Sequence, residues 1–132
     1  MTGLDTNVLV RYLTLDDPDQ SKTAATLIEE AVTKGGKLLV HPVVLCELVW
    51  VLETAYDYNR GEVAITLDRI LRTAQFEIPD KDTVWKAWAD YRSGKADFAD
   101  YLIGRANERF GAIRTVTFDK ALKGHKQFHV LT

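Results

Sequence analysis

Short apolar runs that each give way at once to a helical pattern constrain this chain more than any other feature. Leu38-Leu39-Val40 is wholly apolar, ends at His41-Pro42, and precedes Val43 to Ala55, apolar but for Cys46, Glu47 and a few others. A run apolar on both faces suits a strand covered on both sides, and proline suits the first turn of a helix. The same succession opens the chain. A very short strand ends near Asp5, and Val8, Leu9, Tyr12 and Leu13 then fall at helical spacing. It recurs at Phe76–Pro79, ahead of a helix over Asp80–Arg92 with Val84, Trp85 and Trp88 inward. It recurs again at Ala112–Phe118, ahead of a turn or short helix over Asp119–Leu122, with Phe128–Leu131 as a last strand. Between these runs lie helices over Pro18–Lys34, stopped by Gly35-Gly36, and over Ala96–Phe110, stopped by Gly111. Val43–Ala55 and Glu62–Ala74 pair as a helical hairpin across Tyr56–Gly61. Short strands alternating with helices predict an α/β protein, a three-layer α/β/α arrangement with a short central parallel sheet and a protruding helical hairpin.

At 132 residues the chain is expected to form one domain over 1–132. One cysteine cannot make an internal disulfide. No apolar run approaches the roughly 20 residues that span a bilayer, and the chain reaches Asp5 without a leader-like stretch, so membrane and secretory readings give way to a cytoplasmic one. Seventeen basic against 19 acidic residues give a net charge of −2, which argues against a phosphate-binding surface made of lysine and arginine alone. Two bound divalent cations would reverse that sign, so the placement of the acids decides.

Ligands of open parallel sheets bind outside the carboxyl ends of the strands. Asp5 and Asp119 follow strands, Glu47 lies about one helical turn beyond Leu38–Val40, and Asp97 and Asp100 share a face at the start of a helix. Each has a purely structural reading: Asp5 and Asp97 as helix caps, Asp119 as a turn starter, Glu47 as a salt-bridge partner or a helix edge facing water. Glu47 stands in Val43–Leu52, where a buried carboxylate without a counter-charge is costly, and a cation would supply that charge. Like charges converging at strand ends favour a hard divalent ion, and all-oxygen ligation favours Mg²⁺ or Mn²⁺ over zinc. Such ions activate water and steady the leaving oxygen in displacement at phosphorus. His41, His125 and His129 form no ligand-spaced pair and read as surface or turn residues; Cys46 reads as a structural thiol, and Trp50, Trp85 and Trp88 as packing.

Four stretches carry a family resemblance: Leu4-Asp5-Thr6-Asn7-Val8-Leu9; Glu47 after its strand and turn; Asp97-Phe98-Ala99-Asp100-Tyr101-Leu102-Ile103; and Thr115-Val116-Thr117-Phe118-Asp119. In order and spacing they resemble the PIN-domain family, and within it the VapC-like endoribonucleases of toxin–antitoxin operons. The resemblance implies a PIN-like fold and an Mg²⁺- or Mn²⁺-dependent ribonuclease. Asp5, Glu47 and Asp100 would contact the metal, Asp97 and Asp119 would complete or flank the site, and Thr6 and Thr117 would orient carboxylates or water. It also implies an RNA substrate, a homodimer and a cognate antitoxin, with the Val43–Ala74 hairpin as the dimer or antitoxin surface. Gly104-Arg105-Ala106 departs from the small apolar residues usual there; Arg105 or Arg109 would contact RNA phosphate, or else lie on a solvated helix face.

Two other readings stand beside this one. Receiver-like and haloacid-dehalogenase-like phospho-acceptor or phosphatase domains also gather acids at strand ends, but Asp5-Thr6-Asn7 lacks a second acid two residues on, and no lysine follows the Ile113–Phe118 strand until Lys120. A non-catalytic PIN-like binding module would keep the acids for stability alone.

Overall fold

Two parallel ladders of very short strands organise the chain, and helices supply nearly everything else. The computed structural model describes residues 1–132. Strands β1 (Thr2–Gly3), β2 (Leu38–Leu39) and β3 (Phe76–Glu77) form one ladder in that order, with Thr2 opposite Leu38 and Leu38 opposite Phe76. Strands β4 (Thr115–Thr117) and β5 (Phe128–Val130) form the other, in register from Thr115 opposite Phe128. Successive parallel strands demand crossovers, and the helical runs between them provide these. The parallel α/β architecture read from the alternation is therefore present, with its strands divided between two ladders. The strand expected over Ala112–Phe118 contracts to Thr115–Thr117, because β5 offers only three residues to pair with; Ile113, outside the ladder, is 94% exposed.

The helices are α1 (Thr6–Leu13), α2 (Pro18–Lys34), α3 (Pro42–Ala55), α4 (Arg60–Arg72), α5 (Lys81–Ser93) and α6 (Phe98–Arg109). Their ends follow local chemistry. Gly35, left-handed at φ 69°, closes α2 while the Gly36 N–H donates to the Ala31 carbonyl at 3.0 Å. His41 caps α3, its Nδ1 accepting from the Val43 N–H at 3.1 Å. α4 begins at Arg60 rather than at Glu62, because Asn59 and Glu62 form a reciprocal capping box at 2.8 and 3.0 Å that draws Arg60 and Gly61 into the first turn.

One hydrophobic cluster gathers residues from every helix and the first ladder. Leu45, Leu48 and Leu52 on α3 meet Val63, Leu67 and Leu71 on α4, all essentially excluded from water. Each fully buried aliphatic side chain contributes about 1.5–3 kcal/mol, so the inner side of the hairpin is held as core. Its outer side carries Val43, Trp50 and Ile65, all more than half exposed. Trp50 is thus not packing the core, as its apolar neighbours suggested, since it lies on the stripe of α3 opposite Leu45, Leu48 and Leu52. Trp85 and Trp88 are partly buried edge-to-face at 5.3 Å, and Trp88 Nε1 donates to the Ala64 carbonyl at 2.8 Å, pinning α5 to α4.

Gly104 decides how close α6 comes to β5. A Cβ there would stand 2.4 Å from Phe128 Cζ, so only glycine admits the ring. No helix is long and apolar enough to cross a membrane.

Candidate functional site

β1 ends directly before Leu4 and Asp5, and the Leu4 N–H donates to the Leu39 carbonyl at 2.9 Å, fixing the start of the chain on β2. Asp5 is the N-cap of α1, but its Oδ1 accepts from the adjacent Thr6 N–H at 2.8 Å rather than from deeper in the turn. Thr6 is buried, and its hydroxyl donates to Glu47 Oε1 at 3.1 Å, 41 positions away. That bond brings Glu47 beside Asp5. Glu47 itself is exposed, in line with Val43 and Trp50 on the outer stripe of α3. The premise that burial leaves it short of a counter-charge therefore fails; its carboxylate faces water, with Thr6 holding one oxygen.

A second group forms where α6 begins. The Asp97 N–H donates to Asp100 Oδ2 at 3.3 Å, the N3 carboxylate reaching back to the cap residue. Asp100 is half-buried, and its carboxyl sits above the ordinary value. Burial is the main cause, the Asp97 N–H partly opposes it, and the charges of Asp97 and Asp119 add to it. Asp119 follows β4 and starts a 3₁₀ turn over Lys120–Leu122, its Oδ1 accepting from the Ala121 N–H at 2.9 Å. Thr117 Oγ1 accepts from the Asp119 N–H at 3.0 Å. It therefore orients the backbone of Asp119, and its own O–H is used by no protein acceptor. α3 packs against both α1 and α6 and so lies between the two groups.

All five acids offer carboxylate oxygen, the donor chemistry of a hard divalent cation. None of the five pairs with a lysine, arginine or histidine; the ion pairs use Asp16, Asp68, Asp80, Asp90 and Glu108. No three His, Cys, Asp or Glu side chains stand close enough together to hold one metal ion between them. The donor set fits a cation in chemistry: the charges of Asp97 and Asp119 both act on Asp100, and Thr6, next to Asp5, holds Glu47.

The residues that position the second group carry no local sequence signal. The Tyr101 hydroxyl accepts from the Lys95 and Ala96 N–H groups, both at 3.2 Å, tying down the loop that delivers Asp97. Gly94 makes room for it, since a Cβ there would lie 2.0 Å from that hydroxyl oxygen and 2.7 Å from the Asp90 carbonyl. Arg60, on the first turn of α4, donates to the Tyr91 and Ala96 carbonyls at 2.9 Å and lies over the Tyr91 ring at 4.2 Å. Tyr91 in turn donates to Glu53 Oε2 at 2.8 Å. Only a contact map reveals these partners, which lie up to 38 positions apart.

Arg105 is committed to the fold. It grips Asp90 with Nε and Nη2 at 2.7 and 2.8 Å and reaches Glu108 at 3.2 Å, so it neither projects toward RNA phosphate nor lies on a solvated face. Arg109 pairs with Asp80 at 3.1 Å near the surface. His125 also departs from expectation. It is mostly buried, 3.0 Å from Asp90 through Nε2, and its Nδ1 accepts from the Gln127 N–H. Burial pushes the Cys46 thiol up to about 11, with the Glu47 charge adding to it, as befits a structural thiol.

The PIN domain family model matches residues 4–126. Among characterised proteins, the chain is similar to the VapC ribonuclease of Aquifex aeolicus (strain VF5). The two are 29% identical over 123 residues, which cover 93% of this chain and 90% of that protein.

Proposed function

The chain belongs to the PIN-domain family, and from that premise we propose that it is a divalent-metal-dependent endoribonuclease, the toxin of a toxin–antitoxin pair. It acts in the cytoplasm and is held in check by a cognate antitoxin. The observation that carries this reading is that Asp119 acts with Asp97 on Asp100 from a distant part of the chain, with none of the three paired to a cationic side chain, while Thr6 ties Glu47 to the turn that Asp5 begins. The name of its Aquifex relative supports ribonuclease chemistry over a binding module.

In this reading Asp5, Glu47 and Asp100 hold Mg²⁺ (Mn²⁺ in its place), with Asp97 and Asp119 completing or flanking the site. When bound, the metal supplies Lewis-acid polarisation of the phosphodiester and of the attacking water. Thr6 keeps one Glu47 oxygen in a fixed direction, leaving the other free. Asp97 fixes Asp100 through its own N–H, and the half-buried setting of Asp100 strengthens its attraction for a cation. Thr117 sets the backbone from which Asp119 projects. The proton of the attacking water passes to a carboxylate of this group, since no histidine stands among the five acids. The outer stripe of the hairpin, Val43, Trp50 and Ile65, is the proposed surface for the second protomer or the antitoxin.

The test is cleavage of a labelled RNA by the purified protein with Mg²⁺, with EDTA, and with Asp5→Asn or Asp100→Asn. Cleavage stops with EDTA and falls by at least about 100-fold in either variant while the melting temperature holds, and the products carry 5′-phosphate and 3′-hydroxyl ends. A folded Asp100→Asn protein that cleaves at the parent rate refutes the assignment, as do 2′,3′-cyclic phosphate ends, which mean that the RNA's own hydroxyl attacked.

A further inference from the structure

The last stretch of the chain opposes the net charge of the whole. After Asp119 there is no further acid, while Lys120, Lys123 and Lys126 follow, with His125 and His129 among them. Every ion pair in the protein is made by an arginine or by His125, so no lysine is neutralised by a carboxylate. Two clefts meet on this stretch. One, of about 410 Å³, has Lys95, Lys120 and Lys123 in its wall, with Asp90 there already held by Arg105 and His125; the other, of about 800 Å³, has Phe118, Lys120, Lys123 and His129. Lys120 and Lys123 belong to both and form the ridge between them. Lys95 stands two residues before Asp97, and Lys120 directly follows Asp119, so the same two segments that carry these acids also wall the first cleft.

Phe118 is 76% exposed. Alternation along β4 puts it on the outer face with Val116, and His129, the partner of Val116 across the ladder, shares that face. A phenyl ring open to water beside unpaired lysines is the pattern of a single-strand site, in which cations follow the phosphates and an aromatic face takes a base. A duplex keeps its bases stacked on one another and has none to offer. The local positive charge favours a polyanion here over an apolar protein surface.

Resting on the ribonuclease reading, we infer that the two clefts form a track for single-stranded RNA flanking the cleavage point, with Lys95, Lys120 and Lys123 holding its phosphates and Phe118 stacking one of its bases. This assigns substrate-positioning residues outside the five acids.

The experiment uses the Asp5→Asn protein and a fluorescent single-stranded RNA, with affinity measured by anisotropy across a salt series. Each phosphate contact contributes about 0.7 to the slope of log affinity against log salt, so Lys120→Gln with Lys123→Gln lowers the slope by about 1.4. Phe118→Ala weakens binding roughly 5- to 150-fold, the span of one lost base stack. Lys120→Arg with Lys123→Arg restores the slope, and Lys86→Gln on the exposed side of α5 leaves it unchanged. Melting temperatures confirm that each variant is folded. A parent protein that neither binds nor cleaves RNA refutes the ribonuclease reading beneath the inference, before any variant is compared. A parent that cleaves RNA, with slope and affinity unmoved by the lysine and phenylalanine variants, overturns the track alone.

Discussion

Removing the Tyr101 hydroxyl tests whether the loop before α6 is held as described. In Tyr101→Phe the ring stays in its buried place and one oxygen is lost, so two backbone N–H groups lose their acceptor. Lys95 is exposed and its N–H regains water, but Ala96 is 3% exposed and its N–H does not. A single buried donor left without a partner costs about 1–3 kcal/mol. At roughly 2.1 cal/mol/K for each of 132 residues, unfolding carries an entropy of roughly 0.28 kcal/mol/K, so the melting temperature falls by about 4–11 °C. Differential scanning calorimetry at neutral pH measures this directly. The same release loosens Asp97, which follows Ala96, so RNA cleavage falls further than the loss of folded protein accounts for. A variant melting within about 1 °C of the parent refutes the reasoning, because it means that Ala96 finds another acceptor or that the loop is not tied by this residue.

The remaining expectations use other ties in the fold. Gly104→Ala gains about 1 kcal/mol of helix propensity but drives a methyl into Phe128, at an overpacking cost of about 1–3 kcal/mol, so thermal melting shows no gain and most plainly a loss; a clear rise overturns the glycine argument. Burial alone would raise the Asp90 carboxyl, but hydrogen bonds from Arg105 and His125 outweigh it and hold the group below its ordinary value. The denatured chain therefore takes up that proton first as pH falls, and the pair's stabilisation is complete above about pH 4 and drains away below it. Arg105→Ala costs about 2–3 kcal/mol at neutral pH and shows a shallower loss of melting temperature between about pH 5 and 2.5 than the parent; parallel curves exclude the pair as the cause. With its thiol pushed up to about 11, Cys46 reacts with iodoacetamide at pH 8 far more slowly in the native protein than in urea, and equal rates would show an accessible thiolate.

Fold class could be read from residue order alone, and so could the candidate acids. Strand and helix periods are local signals, and Asn59 with Glu62, Gly35 and Pro42 mark helix ends by chemistry confined to a few neighbouring residues. Spacing also placed Asp5, Asp97, Asp100 and Asp119 at element boundaries, where backbone groups face outward. Tertiary structure decided whatever depends on which side of an element meets another. Glu47 and Trp50 read as buried because their neighbours are apolar, yet both lie on the outer stripe of α3, a matter of helix rotation against a core that periodicity could not fix in so uniformly apolar a segment. His125 and Arg105 look like surface residues until α5 brings Asp90 between them, and Arg60, Tyr91 and Tyr101 act on backbone atoms that any residue would supply. Backbone acceptors and donors have no letter in a sequence, so the shell that positions the acids becomes visible only when the chain is folded.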